Sequence, residues 1–139
     1  MPISLDERLR CDVDVLVPAA QENVITAEYA QQIRASIVVE GANGATTSEG
    51  DSVMHKRGIM VVPDILANAG GVIVSYYEWK QNLSSECWSL DKVNSHADKR
   101  MQKAFDKVYG TAQEYGVSLR TAAYTVALQK LSTAYTQGA

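Results

Sequence analysis

The groups best suited to recognising a small molecule are Asn43, Asn68, the adjacent Gly70 and Gly71, and Ser75. Each asparagine offers a donor and an acceptor to an amide or a hydroxyl. Two neighbouring glycines are poor helix interior, at roughly 1 kcal/mol each against alanine. At a helix start, however, they let another group come close to backbone N–H groups that have no partner within the helix. The positive end of the helix dipole points the same way. Ser75 stands about one turn further on, where a hydroxyl can donate to an acid. Each signal has a bland counterpart. The glycines suit a strand-to-helix turn, Asn43-Gly44 suits a simple turn, and a serine hydroxyl can be satisfied by its own helix. Convergence of these groups at one edge of a fold is what raises the functional reading above the local one.

Metal and thiol chemistry find little support. Cys11 and Cys87 lie far apart with no Cys-x-x-Cys and no neighbouring histidine, so no metal site and two free thiols are expected. His55 and His96 fall on predicted helices among charged residues, which reads as solvated surface. The 139 residues make one domain or part of one, with 46% hydrophobic and 21% charged residues. A formal charge of −3 without a basic block gives no reason to expect nucleic acid or an anionic membrane as partner. No apolar run is long enough to span a bilayer and no signal peptide is evident, so a cytoplasmic location is the expectation.

The elements that must position these groups follow from patterning. An apolar run from Val13 to Val17 ends at Pro18 and suits a parallel strand buried on both faces. Thr26 caps a helix of about two turns. Ile37 to Val39 is the second strand, and Thr46 with Glu49 three residues later forms a capping box for the next helix. That helix ends in His55-Lys56-Arg57 and the stop Gly58. Ile59 to Val62 is the third strand, ending at Pro63, and helix-like spacing resumes near Ala69. Beyond Asn82 the pattern is helical alone. Ser89 caps a long helix with apolar positions Leu90, Val93, Ala97, Met101, Phe105, Val108, Ala112 and Tyr115. Gly116 ends it, and Ser118 opens a last helix with the packing stripe Leu119, Ala122, Ala123, Val126, Ala127 and Leu131. The expected class is α/β: the second half of a Rossmann-like doubly wound sheet, three parallel strands with crossover helices, followed by C-terminal helices. In such sheets ligands bind beyond the carboxyl ends of the strands, where Pro18-Ala19-Ala20, Gly41-Ala42-Asn43-Gly44 and Asn68-Ala69-Gly70-Gly71 all stand.

The run Pro63-Asp64-Ile65-Leu66-Ala67-Asn68-Ala69-Gly70-Gly71-Val72, with Ser75 and Glu78-Trp79, resembles the signature of the glutamate dehydrogenases, within the Glu/Leu/Phe/Val dehydrogenase family. Val39-Glu40-Gly41-Ala42-Asn43-Gly44 and Val17-Pro18-Ala19-Ala20 match two further motifs of that family in order and interval. The resemblance covers nearly the whole chain from about Cys11 and concerns only the C-terminal part of such an enzyme. It implies that residues 1–139 are a partial NAD(P)-binding domain, with 11–67 a half Rossmann unit and 68–139 a helical region. It also implies roles. Ala19, Ala20 and Asn43 would line the dinucleotide near its ribose and nicotinamide. Asn68 would contact the nicotinamide end and the amino acid, Gly71 and Val72 would neighbour the amino acid, and Ser75 would hydrogen-bond the side-chain carboxylate of glutamate. Relatives acting on leucine, valine or phenylalanine are expected to carry an apolar residue in place of that serine.

The departures matter as much. The sequence contains no G-x-G-x-x-G, and nothing in it corresponds to the family's catalytic lysine and aspartate. Ser85-Glu86-Cys87 stands where a glycine or aromatic segment is expected. The resemblance therefore implies a part of an NAD- or NADP-dependent enzyme that deaminates L-glutamate oxidatively to 2-oxoglutarate and ammonia, inactive alone and with weak or no nucleotide affinity. The alternative is a non-catalytic, self-associating or partner-binding domain. A first strand without its usual neighbour would expose an apolar edge, so a homo-oligomer covering that edge is expected.

Overall fold

A computed structural model describes residues 4–138. Its elements, in order, are α1 (Leu5–Leu9), β1 (Val15–Leu16), α2 (Ala27–Gln32), β2 (Ile37–Val39), α3 (Ser48–Lys56), β3 (Met60–Val62), α4 (Asp64–Ala67), α5 (Gly70–Ser84), α6 (Leu90–Tyr115) and α7 (Leu119–Gln137). The strands form one parallel sheet in the order β1-β2-β3, with Val15 opposite Ile37 and Val38 opposite Val61. This is the expected α/β half-sheet with crossover helices and a helical C-terminal region.

Neighbouring residues on a strand point to opposite faces, and β3 shows what each face holds. Val61 packs against the cluster of Leu9, Ile25, Ala30, Ile33, Ala35, Val38 and Met54, which α2 and α3 cover. Val62 packs against the second cluster, where Leu66, Val108, Ala112, Leu119, Ala122, Ala123 and Val126 join α4, α6 and α7. Helices therefore cover β3 on both faces.

Helix ends follow local chemistry in most places. Thr26, Ser89 and Ser118 accept N–H bonds from Tyr29, Lys92 and Thr121, respectively. Gly58 and Gly116 adopt φ of 73° and 63°, a left-handed conformation that suits glycine after a helix. Ser85 closes α5 in the same region at φ 53°. The left-handed turn thus falls on a serine, within the segment Ser85-Glu86-Cys87 where a glycine or aromatic segment was expected.

Several expectations are corrected. The cap of α3 is Thr47, whose Oγ1 accepts from Gly50 N–H at 3.1 Å, and not Thr46. Thr46 is drawn instead into a parallel bridge with Ile25, and its Oγ1 is buried without a partner. Glu49 then stands one position too early for a capping box. β1 is shorter than the apolar run and is not buried on both faces: Leu16 packs on the first cluster, whereas Val13, Val15 and Val17 are all exposed, because the second cluster packs on β3 and takes in no residue of β1. Gly70 and Gly71 do open a helix, as the first two residues of α5, but the element before them is α4 and not β3, so the switch there is from helix to helix.

Packing of the last helices is also uneven. Leu119, Ala122, Ala123 and Val126 are buried as expected, whereas Leu131 is 66% exposed. Leu131 belongs to a second stripe of α7 with Tyr124, Leu128 and Tyr135, all exposed. Their steps of four, three and four residues put them on one helix face, opposite the buried one. On α5, Val72, Tyr76, Trp79 and Leu83 repeat those steps and are exposed as well. In α6, Leu90, Phe105 and Tyr115 are exposed while Val108 and Ala112 are buried.

Candidate functional site

The site is built where β2 and β3 end. After β2 the chain turns through Glu40 to Gly44, and after β3 it enters α4, which ends at Asn68. Asn68 Nδ2 donates to Asn43 Oδ1 at 2.6 Å and lies 3.4 Å from Gly41 O. The two predicted asparagines therefore meet, 25 residues apart in sequence. This pairing uses one polar atom of each side chain and leaves the Asn68 carbonyl and the Asn43 amino group with other bonds to make.

The loop after β1 is stitched to the same edge. Ala42 N–H donates to Pro18 O at 2.9 Å, and Asn23 N–H donates to Gly44 O at 2.7 Å. A Cβ on Gly41 would stand 3.0 Å from the Ala19 Cβ, so glycine here permits the close approach of the two loops. Ala19 and Ala20 are exposed and help to line a groove of about 440 Å³ with Leu16, Val17, Pro18 and Val24. Ala19, Asn43 and Asn68 are thus gathered at one edge.

Gly71, Val72 and Ser75 stand on the first turns of α5, where three- and four-residue spacing puts them on one face. Gly71 and Ser75 are exposed and Val72 is 70% exposed. Cβ atoms on Gly70 or Gly71 would meet nothing within 4 Å, and neither residue has a positive φ. The chain's own packing and backbone therefore give no reason for this glycine pair. The Ser84 hydroxyl bonds back to Lys80 O in the same helix; no such bond occupies Ser75.

An arginine that the patterning did not single out underlies the site. Arg120, in the first turn of α7, reaches Glu40 Oε2 at 2.8 Å, Asp51 Oδ1 at 3.0 Å and Asp64 Oδ1 at 3.3 Å. Glu40 is fully buried. Burial works against the charged guanidinium, but the hydrogen bond and charge of Glu40, then those of Asp51, hold its pKa above the ordinary arginine value. The one local signal was a cation in the first turn of a helix, where it opposes the dipole. A small cavity of about 100 Å³ borders Arg120, Asp51 and His55, and no predicted site residue lines it.

Lys56, Lys80, Lys92, Lys99, Lys103, Lys107 and Lys130 all fall on helices. His55 is exposed, and His96, also exposed, packs its ring against Trp88 and Tyr77. Cys11 and Cys87 are free thiols. Among the described residues, no group of His, Cys, Asp and Glu could hold a metal ion, and no helix is long and apolar enough to cross a membrane.

A parallel three-stranded half-sheet with crossover helices, and small-residue loops gathered beyond its carboxyl edge, defines a Rossmann-like fold. The family model for glutamate/leucine/phenylalanine/valine dehydrogenases matches residues 2–138, and the chain belongs to that family. It is 52% identical over 130 residues to the glutamate dehydrogenase of Thermotoga maritima, covering 94% of this chain and 31% of that protein. It is 51% identical over 133 residues to the NAD-specific glutamate dehydrogenase A of Halobacterium salinarum, covering 96% of this chain and 31% of the relative. The crystal structure of a hetero-hexameric glutamate dehydrogenase from Thermus thermophilus, in its leucine-bound form, superposes with a TM-score of 0.90 at 34% identity. That match covers 95% of this chain and 32% of the neighbour. The chain therefore spans about a third of the length of the relatives it matches.

Proposed function

We propose that this chain is the C-terminal part of the nucleotide-binding domain of an NAD(P)-dependent glutamate dehydrogenase, forming one wall of the cleft in which L-glutamate is oxidised to 2-oxoglutarate and ammonia. The observation that carries the reading is the Asn43–Asn68 hydrogen bond beside the open Gly70–Gly71 pair. Ala19, Ala20 and Asn43 line the ribose and nicotinamide of NAD or NADP, and Asn68 serves both the nicotinamide end and the amino acid. Gly71 and Val72 flank the amino acid, with Ser75 donating to its side-chain carboxylate. The nicotinamide, when bound, accepts the hydride of the amino-acid α-carbon. These residues would orient the amino acid against the nicotinamide ring, which is where such a wall contributes to rate. A cytoplasmic location accompanies this reading.

In the domain division proposed here, 11–67 is the half Rossmann unit and 68–139 the helical region. No residue of this chain is assigned as acid or base, so no glutamate-dependent NAD(P)H formation is expected from it alone. Calorimetric titration with NAD and NADP, with and without glutamate, tests the site. Any saturable binding is expected to be weak, and Asn68→Ala is expected to weaken it at least tenfold further. Binding that Asn68→Ala leaves unchanged would remove Asn68 from the site.

A second reading rests on the exposed apolar surface. Val13, Val15 and Val17 in and beside β1 and the stripes of α5 and α7 are exposed apolar side chains of the kind that association covers. A self-associating domain that covers the β1 edge with a second copy is expected to give a dimer or larger assembly at micromolar concentration. A monomeric mass by light scattering, recorded in the titration buffer, would count against it.

A further inference from the structure

We propose that Arg120 is a positioning residue for the Asn43–Asn68 pair, acting through Glu40 and Asp64 from the opposite end of the sequence. The inference deepens the coenzyme-site reading above and rests on it only for its consequence in binding. Arg120 joins four elements: α7, the end of β2, α3 and the start of α4. Two of its three carboxylate partners are bonded directly to the backbone of the site loops. Glu40 Oε2 accepts from Asp64 N–H at 2.9 Å, and Asp64 Oδ2 accepts from Gly44 N–H at 2.8 Å. Asp64 is the first residue of α4, and α4 ends at Asn68. Gly44 follows Asn43 in the chain. One arginine thus sets the position of both partners in the 2.6 Å asparagine bond, the first through Asp64 and Gly44 and the second through the start of α4.

The arrangement is a costly way to hold a helix down. A cation in the first turn of α7 opposes the helix dipole. Glu40 is fully buried, and its Oε1 has no hydrogen-bond partner. Apolar side chains of similar volume commonly replace a buried ion pair without loss of stability. What they cannot replace is direction. The guanidinium is a planar fork whose donors reach separate carboxylates along fixed lines, whereas lysine offers a compact point charge. Nε goes to Asp51, Nη1 to Asp64 and Nη2 to Glu40, so all three nitrogens of the fork are used.

The test uses the whole chain, labelled with nitrogen-15. Hydrogen exchange is followed at Gly44 N–H and Val38 N–H, together with the side-chain amide resonances of Asn68. The variants are Arg120→Lys and the double substitution Arg120→Met with Glu40→Gln, which removes the buried charge along with its partner. Both are expected to keep the wild-type circular dichroism and the exchange rate of Val38 within twofold. Gly44 exchange is expected to accelerate at least tenfold in both, with a shift of the Asn68 side-chain resonances. A folded variant with Gly44 exchange and Asn68 resonances unchanged overturns the proposal. If the double variant does not fold, Arg120→Lys decides alone. NAD titration of the same samples forms a separate arm. Failure of the wild-type chain to bind refutes the coenzyme reading for this chain, while the exchange data still decide the role of Arg120.

Discussion

Replacing Arg120 by alanine is expected to lower the folding stability of this chain by about 3–5 kcal/mol, the usual cost of leaving a buried charge without its partner. Glu40 would keep only the Asp64 N–H on Oε2, with Oε1 already unpaired in a fully buried side chain. The opposing estimate is that of a surface ion pair, about 0–1 kcal/mol. Burial decides between them, since Glu40 has no access to water that could replace the guanidinium. Urea denaturation followed by circular dichroism checks this, and a loss below about 1 kcal/mol would place the network in the weak surface class. Arginine's own titration adds no dependence near neutrality. Its folded pKa is raised, so the charge contribution is fully present below the ordinary arginine value and is lost only as pH rises through the raised one.

Gly50→Ala is expected to be the second most damaging single change, although it puts a better helix former into α3. In an open helix the substitution gains roughly 1 kcal/mol. Here a Cβ would stand 2.4 Å from Ile25 O and 3.2 Å from the Thr26 carbonyl carbon. Both are backbone atoms, and Ile25 O also accepts from Thr47 N–H at 3.0 Å. Relief must therefore move the Ile25–Thr46 bridge or withdraw α3 from α2. Overpacking of this kind costs about 1–3 kcal/mol, and the upper end is expected because no flexible side chain can yield. Gly110→Ala in α6 is the control, since a Cβ there meets nothing within 4 Å. Thermal melts of the two variants are expected to move in opposite directions. A higher midpoint for Gly50→Ala would mean that the two segments separate at little cost.

The same contrast bears on the candidate site. Gly41 and Gly50 are required by approach of the chain to itself, whereas Gly70 and Gly71 are in open space. In sequence, Gly70 and Gly71 stand out as a pair and Gly50 does not stand out at all. Only contact distances show which of them the fold needs and which are left for a ligand or a neighbouring surface to explain.

What the sequence determined by itself is whatever depends on residues within a turn or two of one another. Ile37–Val39 as a strand, the caps Thr26, Ser89 and Ser118, and the stops Gly58 and Gly116 all fall where short-range patterning puts them. The motif residues Ala19, Asn43 and Asn68 were placed beyond the carboxyl ends of their strands, and strand order then brought them together. The tertiary structure decided the rest. Sequence favoured Thr46 as the cap through Glu49 three residues later, whereas the bridge from Ile25 holds Thr46 and leaves Thr47 to cap α3. The exposure of Val15 and Val17 depended on how far the second helical layer reaches over the sheet, and that of Leu131 on which face of α7 met the core. Arg120 and Glu40 lie 80 residues apart, and no periodicity links them. A local signal is an energy shared by neighbours in the chain, and it can be read from their order. A buried ion pair is an energy that exists only after the chain has closed, and its members are identified by position in space.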